Sequence, residues 1–104
     1  MEMENKKDKI VVIEDEKNLR EILKMLLEEE GYDVHCARDG NEGLELLSRD
    51  IFDLIITDIK MPGVDGFTVL RKAQDISPGT PVIMITAFGT TDSAIEAMKL
   101  GAYD

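Results

Sequence analysis

Three apolar runs constrain this chain more than any other feature: Ile10-Val11-Val12-Ile13, Leu54-Ile55-Ile56 and Val82-Ile83-Met84-Ile85. A strand with one face in water alternates apolar and polar residues, whereas a strand covered on both faces does not. The runs therefore predict inner strands of a sheet with helices on either side. The first such helix is marked by Leu19, Ile22, Leu23, Leu26 and Leu27, spaced i, i+3, i+4, i+7 and i+8, with Gly31 as its terminator. Asp33–Ala37 reads as a short second strand. Asp39-Gly40-Asn41 is a turn with a helix cap, and Leu44 and Leu47 mark the inner face of a second helix. Phe52–Thr57 is the third strand. Met61-Pro62-Gly63 breaks the chain, and Asp65 caps a third helix carrying Phe67, Leu70, Ala73 and Ile76. Ser77-Pro78-Gly79 ends that helix, Pro81–Thr86 is a fourth strand, and Thr90–Leu100 is a fourth helix closed by Gly101.

Strand and helix thus alternate four times with short connections. That order predicts an α/β fold with parallel strands, right-handed crossovers and helices on both faces. At 104 residues it is one domain, from Lys9 to Asp104, behind a polar tail over residues 1–8. Lone Cys36 has no partner for an internal disulfide, which fits a reducing compartment. No apolar run is long enough to span a bilayer, and the charged start, Met1 to Lys9, has no signal core. A cytoplasmic location is expected. Twelve basic against 22 acidic residues leave a net charge of −10. Such a surface repels nucleic acid and anionic membranes, so direct contact with either is not expected.

An open parallel sheet binds its ligands at the carboxyl ends of its strands. Those ends carry Glu14-Asp15-Glu16, Asp58 and Thr86. Converging carboxylates repel one another, and a hard cation such as Mg²⁺ relieves that repulsion while leaving room for phosphate oxygens. Helix capping is the plainer role for Asp15 or Glu16. It does not serve Asp58, because Ile59-Lys60-Met61-Pro62 is no helix start. His35 and Cys36 lie on the second strand, away from the acidic edge, and read as structural.

Three segments in order resemble the receiver domains of two-component response regulators. They are Val12-Ile13-Glu14-Asp15, Leu54 through Asp58 to Met61-Pro62-Gly63-Val64-Asp65-Gly66, and Val82-Ile83-Met84-Ile85-Thr86-Ala87. The tract from Ala87 to Asp104 is most similar to receivers of NtrC-type transcription activators. The resemblance implies a flavodoxin-like, doubly wound sheet in the order 2-1-3-4. It implies that Asp58 accepts a phosphoryl group from a phosphohistidine on a sensor histidine kinase. Mg²⁺ would be held by Asp15, Asp58 and the backbone carbonyl of Lys60. Glu14 stands where the family usually has aspartate, and its extra methylene suggests contact through water. Thr86 would give its hydroxyl, and Ala87 its backbone N–H, to the phosphoryl oxygens. The Lys60 side chain and Phe88 sit where the family tunes hydrolysis of the aspartyl phosphate; a solvated lysine and a packed phenylalanine are the plainer alternatives. No separate substrate turnover is expected, so the chain is not read as an enzyme.

Receivers continue with a fifth strand bearing a lysine, then a fifth helix; the sequence ends at Asp104, and Tyr103 does not occupy the position of the family's switch aromatic. The expectation is a receiver incomplete at its end, with self-association through the exposed fourth strand. A phosphorylation-impaired interaction or dimerisation module of the same fold is the alternative. Haloacid-dehalogenase-type phosphatases share the aspartyl phosphate but need a second aspartate two residues on, where this chain has Lys60. A flavin carrier would be repelled by Glu14-Asp15-Glu16, and no glycine-rich P-loop occurs.

Overall fold

The computed structural model describes residues 7–85. They form β1 (Lys9–Ile13), α1 (Lys17–Glu29), β2 (Asp33–Ala37), α2 (Gly40–Arg49), β3 (Leu54–Asp58), α3 (Gly66–Ile76) and β4 (Val82–Ile85). All pairings are parallel, and the sheet runs β2-β1-β3-β4, the order the resemblance implied. The expected fourth helix, over Thr90–Leu100, and Thr86, Ala87 and Phe88 lie outside the described residues. So does any edge pairing that depends on them.

Apolar side chains leave the sheet on both faces, as the continuous runs predicted. Val11, Ile13, Ile55, Val82 and Met84 join Leu47, Val69, Leu70 and Ala73 under α2 and α3. Ile10, Val12, Val34 and Ile56 form the opposite layer, against Leu23 and Leu27 of α1. Ile22 and Leu26, expected on the inner stripe of α1, are about half exposed, and α1 has no fully buried residue. Among the apolar residues of α1, only the row Leu19, Leu23, Leu27, repeating every four residues, turns far enough toward the sheet to be partly covered. The third strand begins two residues later than expected. Phe52 precedes it yet is buried in the core.

Local signals set the helix starts. Asp39 accepts from the Glu42 N–H at 2.8 Å, and Asp65 accepts from the Thr68 N–H at 3.0 Å, so both expected caps are present. Helix α1 ends where Gly31 takes a positive φ of 95°, a conformation that costs glycine little. His35 stands edge-on to Phe52 with ring centroids 5.4 Å apart. Burial pushes the Cys36 thiol pKa up, away from the thiolate form. Among the described residues no helix is long and apolar enough to cross a membrane.

Candidate functional site

The acidic edge is built by register. Strand β1 is flanked by β2 on one side and β3 on the other, so the chain reverses its direction of winding there and opens a crevice at the carboxyl ends of β1 and β3. Ile13 is paired with Thr57. One step further along both strands brings Glu14 level with Asp58. Asp15 follows in the loop, and one carboxylate oxygen from each of Glu14, Asp15 and Asp58 lies within 4.8 Å of the other two.

The loop after β1 is tied down on several sides. The Glu14 N–H donates to the Ala37 carbonyl at 3.0 Å, which continues the β1–β2 ladder beyond the last strand residue. Arg20, one turn into α1, sends a guanidinium N–H to the Glu14 carbonyl at 2.8 Å and reaches the Asp15 carbonyl at 3.4 Å. Glu16 occupies the N-cap position of α1, but its side chain makes no capping bond, and Asp15 is not the cap residue. The plainer role weighed for this acidic pair is therefore not the one they play. On the other side of the crevice, the Lys60 N–H donates to Asp58 Oδ1 at 3.2 Å. The Lys60 side chain is exposed.

Glu14 is the unusual member. It is only 1% exposed, and one of its oxygens, Oε2, accepts the Glu16 N–H at 3.0 Å. Its other oxygen, Oε1, is buried with no hydrogen-bond partner among the described residues. Burial raises its carboxyl pKa to about 7, the Glu16 N–H opposes the rise, and the neighbouring Asp15 and Asp58 side chains add to it. An orphaned carboxylate oxygen facing two more carboxylates is costly unless a proton or a cation joins them. The donor set is all oxygen, which suits a hard divalent cation rather than a soft metal.

The structure thus brings together Glu14, Asp15, Asp58 and the start of the Lys60 loop. Thr86, Ala87 and Phe88 fall outside the described residues; the chain leaves β4 next to the site, since the Ile59 N–H donates to the Ile85 carbonyl at 3.0 Å. Two residues at the site had no role assigned from the sequence. Arg20 looked like any polar-face residue of α1. Thr57, fully buried, donates its hydroxyl to the Asp58 carbonyl at 3.1 Å. A hollow of about 480 Å³ lies along the outgoing loop, lined by Ile59, Lys60, Met61, Pro62, Asp65 and Phe67.

Residues 10–104 match the family model described as the response regulator receiver domain. Over 98 residues the chain is 41% identical to the response regulator protein PilR of Pseudomonas aeruginosa, covering 94% of this chain and 22% of that protein. The chain therefore spans about a fifth of that relative's length. Among solved structures, a CheY-like receiver domain protein from Methanospirillum hungatei superposes with a TM-score of 0.90 at 31% identity, covering 94% of this chain and 78% of that one. A response regulator from Burkholderia pseudomallei, solved with a phosphorylated aspartic acid, a calcium ion and citrate, matches at TM-score 0.86 and 26% identity. That match covers 91% of this chain and 56% of the other.

Proposed function

Because the chain belongs to the response regulator receiver family, we propose that it is a phosphoacceptor that takes a phosphoryl group from a sensor kinase's phosphohistidine onto Asp58. The observation that carries this reading is the convergence of Glu14, Asp15 and Asp58 with a buried, unpartnered Glu14 oxygen. Three carboxylates with no cation of their own form a poor site for an anionic donor. The same three form a good site for a divalent cation that in turn draws phosphate oxygens in.

Asp15, Asp58 and the Lys60 carbonyl would hold Mg²⁺, with Glu14 beside them. When bound, the ion neutralises the negative charge of the carboxylates and of the incoming phosphoryl oxygens. The rest is done by the chain. An Asp58 carboxylate oxygen attacks phosphorus, the new O–P bond forms as the P–N bond to the donor imidazole breaks, and the electron pair stays on that nitrogen. The Lys60 N–H tethers Oδ1 and fixes the direction of the carboxylate. Thr86 and the Ala87 N–H would meet the phosphoryl oxygens. Lys60 and Phe88 side chains would govern how readily water reaches the aspartyl phosphate. No second substrate is turned over, so the chain acts as a self-modified acceptor and not as an enzyme in the ordinary sense. A cytoplasmic location fits this reading.

The neighbour from Burkholderia pseudomallei, with its phosphorylated aspartic acid and calcium ion, supports pairing an aspartyl phosphate with a divalent cation in this chain. The test is intact-protein mass after incubation with a small phosphodonor, with Mg²⁺ or with chelator. One hydroxylamine-labile phosphoryl group is expected with Mg²⁺ only, and Asp15→Asn should lower its rate sharply. Equal labelling in chelator, or an unchanged rate in Asp15→Asn, would contradict the assignment.

A further inference from the structure

Helix α3 begins unusually close to the backbone of the acceptor. Gly66, its first residue, is buried, and its N–H donates to the Ile59 carbonyl at 2.9 Å. A Cβ built on Gly66 would lie 2.8 Å from Ile59 Cα and 3.0 Å from the Asp58 carbonyl carbon, and closer still to the Asp58 carbonyl oxygen. All three are backbone atoms, so no side chain can swing aside. Gly66 is not among the glycines with positive φ, which are Gly31 and Gly63 among the described residues. Glycine is needed at this position for space and not for conformation.

The contact closes a ring. The chain leaves the sheet at Ile59 and returns at Gly66, where the Asp65 cap on Thr68 fixes the start of the helix. Inside that ring lies Lys60, whose N–H holds Asp58 Oδ1 at 3.2 Å, the long end of a good hydrogen bond. The tether has little slack. The Asp58 carbonyl that Gly66 abuts is also held from within β3 by the Thr57 hydroxyl at 3.1 Å. We propose that Gly66 is a positioning residue: its bare Cα lets α3 close the Ile59–Gly66 loop against Asp58, and that closure aims the acceptor carboxylate. The inference rests on the reading of Asp58 as a Mg²⁺-dependent acceptor. An alanine at this position pushes α3 off the strand end, opens the ring and draws the Lys60 N–H away from Oδ1.

The experiment is calorimetric titration of Mg²⁺ into the wild-type chain and three variants, with a thermal melt of each in chelator. Gly66→Ala should bind Mg²⁺ roughly 10- to 100-fold more weakly, the range for residues that orient ligands without binding. Gly79→Ala should match wild type, because a Cβ at Gly79 meets nothing within 4 Å. Leu47→Ala, in the core near the far end of α2, should melt lower yet keep its affinity, which separates positioning from general destabilisation. A wild type that binds no Mg²⁺ overturns the reading of the site and this inference with it. Binding in wild type with equal affinity in Gly66→Ala overturns the inference alone. Should Gly66→Ala not fold, amide hydrogen exchange in wild type decides: saturating Mg²⁺ should slow exchange at Gly66, and an unchanged rate would refute the coupling.

Discussion

Glu14 carries the largest electrostatic tension in the described chain, and its consequence can be measured without any phosphodonor. In the metal-free fold its carboxyl titrates near pH 7, raised from the ordinary glutamate range chiefly by burial. Between that range and pH 7 the folded chain keeps a proton that the unfolded chain has released. Folding therefore takes up a proton, and raising the pH through this window removes stability, on the order of 3 kcal/mol in all. Denaturant melts in chelator from pH 4.5 to 8 should show stability falling toward pH 7. The fall should be absent in Glu14→Gln and reduced in wild type with Mg²⁺. A flat profile in metal-free wild type would mean that the Glu14 site is wetter than its burial indicates. At this scale the sequence was uneven. Glu14, Asp15 and Asp58 were legible because each ends an apolar run, and the strand ends are where such folds bind ligands. Arg20 was not, and Thr57 and Gly66 stood in the resembling segments with no role assigned. Their roles depend on which backbone atoms come close in space, and no spacing of residue types encodes that.

Helix starts show how far local signals reach. Asp39 and Asp65 were readable as caps, each standing just before an apolar-periodic segment, and each makes the predicted bond to a backbone N–H. Glu16 stands in the same relation to α1 and makes none, since the Glu16 N–H is engaged by the Glu14 carboxylate and the loop is held by Arg20. The difference predicts unequal costs. Asp39→Ala should lose about 1 kcal/mol of stability by chemical denaturation. Glu16→Ala should change it by less than about 0.5 kcal/mol. Equal losses would show that Glu16 caps α1 in solution. Periodicity found α1 but not its depth. Five apolar residues cover a wider arc than the sheet can touch, so Ile22 and Leu26 stay half exposed while Leu23 and Leu27 pack. The strand ends drifted by one or two residues because Phe52 is buried just outside β3 and Asp58 is still paired within it.

At the scale of the molecule, the sheet order was not in the apolar runs themselves. They give three strands covered on both faces, with Asp33–Ala37 as a fourth, and several orders satisfy that; the order β2-β1-β3-β4 came from the resemblance and is the order observed. It matters because only adjacency of β1 and β3 sets Glu14 level with Asp58. The core on either side of the sheet then packs the two strands whose ends carry Glu14 and Asp58. Because every group in the site converges on one carboxylate, the most direct measurement is where a phosphoryl group lands. The chain should be labelled by a small phosphodonor in Mg²⁺, cleaved into peptides, and the modified residue located by mass spectrometry in wild type and in Asp58→Asn. The account predicts a single hydroxylamine-labile label on Asp58 in wild type and none in Asp58→Asn. A label on another residue, or undiminished labelling of the variant, would contradict it.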